Sequence, residues 1–258
     1  MVPARGYRPI GAPLSTAFAA SMTGYLGERF FAAGALTNLT LGLAVALAAL
    51  GVGVDLVWRQ LRYLVTTVHE LGHVVVGWFV GRTIQSVHLN HDTSGLTITH
   101  GKRSGPGIFL LYVAGYPAPS VAGFLILWAV IYRHAGWAMG LSLALLLVCL
   151  VLVRNWFGGF LVLLQLGGLG AIWVWNDPRV LSGVLALVGA VLSFGGFRSC
   201  LDLLSLQRRR RSKTSDAAVL ASHSPFGPVV WCYGFTAFAF ALLVATGLML
   251  FDQSAALS

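Results

Sequence analysis

Apolar residues in this chain come in long blocks rather than in short periodic stripes, as expected of segments that satisfy their own backbone hydrogen bonds inside a bilayer. Such runs lie near residues 35 to 56, 60 to 81, 108 to 131, 136 to 153, 156 to 175, 180 to 203 and 227 to 250. Each is close to the ~20 residues a helix needs to cross hydrocarbon. The pattern predicts an all-α polytopic membrane protein with about seven transmembrane helices. Only Arg154-Asn155 separates the fourth run from the fifth, but a fused segment would be longer than any single span.

Between the second and third runs the pattern changes. In residues 84 to 100, IQSVHLNHDTSGLTITH, the apolar Ile84, Leu89, Leu96 and Ile98 stand among polar neighbours, and Asp92-Thr93-Ser94-Gly95 supplies turn chemistry. This predicts a small β-hairpin after the second helix. Its strand edge would suit an extended peptide.

Composition agrees with a bilayer environment: 57% of residues are hydrophobic, 10% are charged and the mean hydropathy is +0.80. A water-soluble domain would lack polar surface at these values. The first thirty residues hold Arg5, Arg8 and Arg29 and no compact apolar core with a cleavage site, so a retained N-terminus is expected. Cys149, Cys200 and Cys232 are odd in number and embedded in apolar runs, which argues against disulfides and thiolate metal sites. The net charge of +9 falls in the loops, which excludes nucleic-acid binding and points to anionic lipid headgroups.

With alternating spans and a cytoplasmic N-terminus, Arg5, Arg8, Arg29, Arg82, Lys102, Arg103, Arg154, Arg208 to Arg211 and Lys213 fall inside; Arg59, Arg62, Arg133 and Arg179 fall outside. The hairpin is then cytoplasmic. Four regions are expected: a cytoplasmic segment 1–34, a membrane core 35–206, a basic linker 207–226, and a C-terminal helix with its tail 227–258. The arginine run of the linker anchors it on anionic lipid, and Ser215 or Asp216 caps a short helix after it.

The second run contains His69-Glu70-Leu71-Gly72-His73. On a helix the two imidazoles lie one turn apart on one face, able to hold one zinc ion, with Glu70 placed as general base. With 7 His in the chain, a chance match is expected on the order of 10⁻³ times. Such side chains also cost about 2.5 to 3.5 kcal/mol each at mid-membrane, so they are rarely present without a use. His73 lies nine residues before Arg82, or about 13 Å along a helix, which puts the metal below the cytoplasmic surface. His88, His91 and His100 read as surface residues of the hairpin. In the third run, Pro117 and Pro119 interrupt the backbone ladder beside Gly115 and Ser120, a candidate substrate-binding wall.

A hydrolytic zinc site normally has a third protein ligand. Glutamate is excluded, since Glu28 and Glu70 are the only two and Glu70 is needed as base. Asp202 and Asn155 both fall at the expected depth. Asp202 has the better donor but could pair with Arg198 one turn away, and Asn155 could cap a helix. The sequence leaves both open.

Together these features resemble the site-2 protease family of intramembrane zinc metalloproteases. The likeness rests on His69-Glu70-Leu71-Gly72-His73 in a membrane helix, the hairpin behind it, and Gly115-Tyr116-Pro117-Ala118-Pro119-Ser120 in the next helix, and it covers about residues 60 to 160. It implies a zinc endopeptidase of the compact, divergent bacterial branch, sited in the plasma membrane. Its partners would be the bilayer and the transmembrane segment of a protein cut near the cytoplasmic side. His69 and His73 would be zinc ligands and Glu70 the base. The family's aspartate-glycine ligand motif is replaced here by Arg154-Asn155-Trp156-Phe157-Gly158-Gly159. Two rival readings are a non-catalytic relative that binds membrane proteins and a transporter or channel. The second lacks repeat symmetry between its halves.

Overall fold

The computed structural model describes Gly24, residues 27–31, Gly34, 36–102, 104–209, Ser212 and 214–256. Arg5, Arg8, Arg103, Arg210, Arg211 and Lys213 lie outside these residues. A helical turn at 27–30 (α1) precedes α2 (Asn38–Gly53), α3 (Asp55–Phe79), the strands β1 (Thr83–Leu89) and β2 (Gly95–His100), and α4 (Pro106–Ala114). Then follow α5 (Pro117–Ile131), α6 (Ala135–Leu152), α7 (Trp156–Trp175), α8 (Pro178–Arg208), the short α9 (Asp216–Ser222) and α10 (Pro228–Ala256).

Helix α8 is the central pillar. Asp177 caps it, accepting from the N–H groups of Arg179 and Val180, and Pro178 occupies the first turn, where its missing donor costs nothing. Its buried residues include Leu181, Leu185, Gly189, Leu192, Gly196, Cys200 and Leu203, the three-and-four spacing of one helix face. Helices α5, α2 and α10 pack around it. At Gly123 of α5, a Cβ would come within 2.6 Å of the Gly189 carbonyl, so the close α5–α8 approach depends on glycine.

The hairpin forms as expected, with Leu89 opposite Gly95, Val87 opposite Thr97 and an irregularity between Ile84 and Ser86. Asp92 Oδ1 accepts from the Ser94 N–H and hydroxyl at 3.0 and 2.6 Å, an Asx-type turn that holds the Asp92 carboxyl below its ordinary pKa. Thr93 takes the left-handed conformation there, φ 66°.

Among the described residues, where seven spans were expected, four helices are long and apolar enough to cross a membrane, α6, α7, α8 and α10, or up to six spans if each of two bent pairs counts as one. Helices α4 and α5 meet at 62° around Gly115 and Tyr116. Helices α2 and α3 meet at 106°. The expected spans 35 to 56 and 60 to 81 thus form a bent pair, a broken span or a re-entrant loop, in place of two antiparallel helices. α3 carries Asp55, Arg59, Arg62, His69, Glu70 and His73, a polar face that cannot lie against lipid.

This bend also corrects the expected topology. α2 runs alongside α8 in the same direction: Gly34 abuts Pro178, Ala48 clusters with Ala190 and Val191, and Arg198 reaches the Val52 carbonyl. Arg29 donates to the Val174 carbonyl at 3.1 Å, at the end of the bundle that holds Arg133 and Arg179. The opposite end holds the hairpin, the start of α7 and the end of α8. Arg59 and Arg62 belong to that hairpin end, lining one cavity with Arg209. Arg29 and the hairpin thus lie at opposite ends.

Candidate metal centre

His69 and His73 project from one face of α3, as their spacing requires, with Nε2 atoms 3.1 Å apart. The Nδ1–H of His73 donates to the Leu111 carbonyl of α4 at 2.8 Å, which fixes the ring and turns the Nε2 lone pair toward His69. Tyr116 stands edge-on to the His69 ring, with centroids 4.7 Å apart, and stacks on Phe235 of α10.

The third donor comes from neither residue the sequence offered. Asp216 Oδ2 lies 3.3 Å from His69 Nε2 and 3.3 Å from His73 Nε2. Short helix α9 delivers it. Ser215 caps α9 by accepting from the Ala218 N–H, and the Gln207 amide at the end of α8 donates to the Ser215 hydroxyl at 2.5 Å. Ala217 and Leu220 are buried with Cys200, Leu203 and Phe235, which fixes α9 against α8 and α10. The cap expected at Ser215 is present, and Asp216, expected only as an alternative cap, follows it in the first helical turn.

These three atoms fit a zinc ion. For bonds of about 2.0 to 2.1 Å to nitrogen and oxygen, the ligands of a tetrahedral site lie about 3.3 Å apart. The observed separations are 3.1, 3.3 and 3.3 Å. Asp216 Oδ2 is buried with no hydrogen-bond partner among the described residues. A buried carboxylate costs several kcal/mol unless a positive charge meets it. Burial opposes its ionisation, yet the facing His73 and His69 hold its carboxyl below the usual range. At Gly115 a Cβ would lie 2.5 Å from His73 Nε2 and 2.7 Å from Asp216 Oδ2, crowding the donors. Only glycine leaves that space free.

Glu70 is 2% exposed and sits under the hairpin. The Thr97 hydroxyl donates to Glu70 Oε2 at 2.5 Å, and Gly95 lets the strand backbone approach Oε1 where a Cβ would collide. The hairpin therefore orients the carboxylate. A cavity of about 360 Å³ joins the parts, lined by His69, Glu70, His73, Thr97, Tyr116 and Asp216 among others.

Asp202 and Asn155 are elsewhere. Asp202 accepts from the Trp58 indole at 3.3 Å and lies 3.9 Å from Arg62; it does not pair with Arg198, which binds Asp55. The bend after α2 brings α3's first turns across α8, so an aspartate at that depth meets arginine and indole instead of the histidines. Asn155 pairs with β1 like a strand residue: its Oδ1 accepts from the Leu89 N–H at 3.1 Å and its Nδ2 donates to the Leu89 carbonyl at 2.6 Å. Both polar atoms are thus turned to the strand.

Of the expected wall, Gly115 borders the donors and Pro119 lines the cavity. Pro117 opens α5, and buried Ser120 packs against Gly196 of α8, in helix packing rather than at the cavity. His91 stacks on Phe157, His100 pairs with Gln85 and His88 meets Ser86, all apart from the donors.

Asp216, Thr97, Gly95 and Tyr116 carry roles that pattern reading missed. One signal pointed to Asp216: it begins the only apolar stretch, Ala217 to Ala221, inside an otherwise polar linker, as expected of a segment folded back onto the bundle. Searches of curated proteins and of solved structures found no match. The family model described as Peptidase M50B-like matches residues 40–246, which takes in the histidines, the hairpin and the helix bearing Asp216. With that match spanning most of its length, the chain belongs to the Peptidase M50B-like family, within the site-2 protease family of membrane peptidases.

Proposed function

We propose that this protein is an intramembrane zinc endopeptidase that cuts a transmembrane segment of a partner protein near the hairpin end of the bundle. The observation that carries this reading is the donor triangle of His69, His73 and Asp216 with Glu70 one residue from the first ligand. When bound, zinc would act as a Lewis acid on the scissile carbonyl and make water acidic enough to attack near neutral pH. Glu70 takes the proton of the attacking water and returns it to the leaving amine. Thr97 holds one carboxylate oxygen and so fixes the group beside the histidines, while the other oxygen makes no hydrogen bond to the described residues and can act as the base.

A helical substrate must unwind locally, because its carbonyls are otherwise bonded within the helix. The hairpin supports this step asymmetrically. Asn155 and a bridge from Val87 to Val153 cover the outer edge of β1, while among the described residues β2 pairs on one side only, with β1. The free side of β2 can therefore bond an unwound segment beside Glu70.

The hairpin end carries the described Arg59, Arg62, Arg82, Lys102, Arg154, Arg208 and Arg209, against Arg29, Arg133 and Arg179 at the far end. By the positive-inside rule, this asymmetry supports a cytoplasmic side for the hairpin and the site. The missing aspartate motif favoured a non-catalytic relative, and Asp216 removes that support by supplying a carboxylate from another element.

The test is zinc content and turnover on purified protein. Glu70→Gln should keep near-stoichiometric zinc and lose about 10²-fold or more of the cleavage of a reconstituted transmembrane substrate. Cleavage at the parental rate by Glu70→Gln, or purified parent protein that takes up no zinc, overturns the reading.

A further inference from the structure

Beside the metal cavity, at the hairpin end, lies a second cavity of about 370 Å³ bordered by Arg59, Arg62, Arg198 and Arg209 and by Asp55 and Asp202. Four cations face two anions, and the pairing is uneven. Asp55 is taken by Arg198, and Asp202 shares itself between the Trp58 indole and a loose 3.9 Å contact to Arg62. Arg59 and Arg209 form no ion pair among the described residues and are exposed. The basin therefore has a surplus of positive charge with no protein anion to meet it.

Arg62, Tyr116, Leu203 and Leu206 line both cavities, so the basin adjoins the metal cavity. Arg62 precedes His69 by seven residues, two turns on the same face of α3. That is a separation of about 10 Å along the helix, the reach of about three residues of extended peptide.

The geometry points to the basin as a specificity subsite that receives an acidic side chain of the substrate, about three residues from the scissile bond, on the flank emerging at the hairpin end. It rests on the endopeptidase reading for its function, but not for its binding. A peptide lying against β2 with its carbonyl at the histidines passes Arg62 on leaving the site. Its carboxylate there gains two charge-assisted partners in a partly enclosed place, where screening is weaker than on open surface. Substrates would then be transmembrane segments followed closely by Asp or Glu at the hairpin end, the reverse of the basic flank common at the cytoplasmic end of a membrane helix.

Binding of synthetic peptides to Glu70→Gln protein tests this independently of hydrolysis. Each probe has an apolar segment of about 20 residues, followed by a short tail of Glu, Gln or Lys. Affinities are measured by fluorescence anisotropy in phosphatidylcholine nanodiscs and in discs containing phosphatidylserine. The Glu-tailed peptide should bind about tenfold more tightly than the Gln-tailed one, and the preference should fall below about twofold in Arg59→Gln/Arg62→Gln/Arg209→Gln. Arg62→Lys, which keeps the charge, should retain most of it, separating charge from a folding defect. Equal affinity for Glu and Gln tails overturns the proposal. So does loss of the preference in phosphatidylserine discs, which would make a lipid headgroup the occupant.

Discussion

At the scale of single residues, the centre depends on two donors one helix turn apart, a third 143 residues further on, and one missing side chain. Asp216→Ala, like His69→Ala and His73→Ala, should remove most bound zinc, since each removes one of three ligands. Asp202→Ala and Asn155→Ala should leave zinc bound, because Asp202 faces Trp58 and Arg62 and Asn155 faces Leu89. Metal analysis of the five variants checks both halves; zinc retained in Asp216→Ala and lost in Asp202→Ala would reverse the assignment. Gly115→Ala places a Cβ against His73 Nε2 and Asp216 Oδ2 and should weaken zinc binding about tenfold or more, while far-ultraviolet dichroism stays unchanged. The His-Glu motif could be read directly because one helix turn fixes its geometry. Asp216 could not, because its distance from His73 depends on how α9 folds back.

At the scale of elements, the hairpin is both the orienting wall for Glu70 and the candidate substrate platform, and α7 holds it from outside. Asn155 supplies the two hydrogen bonds a neighbouring strand would make to Leu89, which stops β1 from pairing with anything else. Asn155→Leu removes both bonds and leaves the Leu89 N–H and carbonyl unsatisfied, a cost of about 1 to 3 kcal/mol. Hydrogen exchange of β1 amides should quicken accordingly, with zinc content unaffected. Unchanged exchange would mean that Val153 and the core beneath suffice. Turn residues 92 to 95 announced the hairpin in the sequence, since Asx-turn chemistry is local. Its outer partner was not legible, because an asparagine next to a helix start reads equally well as a cap.

For the whole molecule, the 106° bend between α2 and α3 decides which charges share a side. A cysteine replacing Arg59 should label from the same side as one replacing His100, and one replacing Phe31 from the same side as one replacing Asn176. Impermeant maleimide on intact cells and inverted vesicles distinguishes the two sides. Labelling of position 59 together with 176 would restore alternating spans and reject the bent pair.

The membrane class, the hairpin, the histidine pair with its glutamate and the family likeness were all legible in the order of the amino acids. All of these rest on local period, local turn chemistry or composition, which neighbouring residues fix among themselves. The third donor, the role of Asn155 and the side of the bundle on which Arg29, Arg59 and Arg62 lie were decided only by the tertiary structure. Apolar run lengths specify that a segment can cross a bilayer but not its direction, and α3's polar face can be buried only against a cavity of the protein's own making. Closing that cavity takes Asp216 from a linker helix 143 residues beyond His73, a contact that no local pattern encodes.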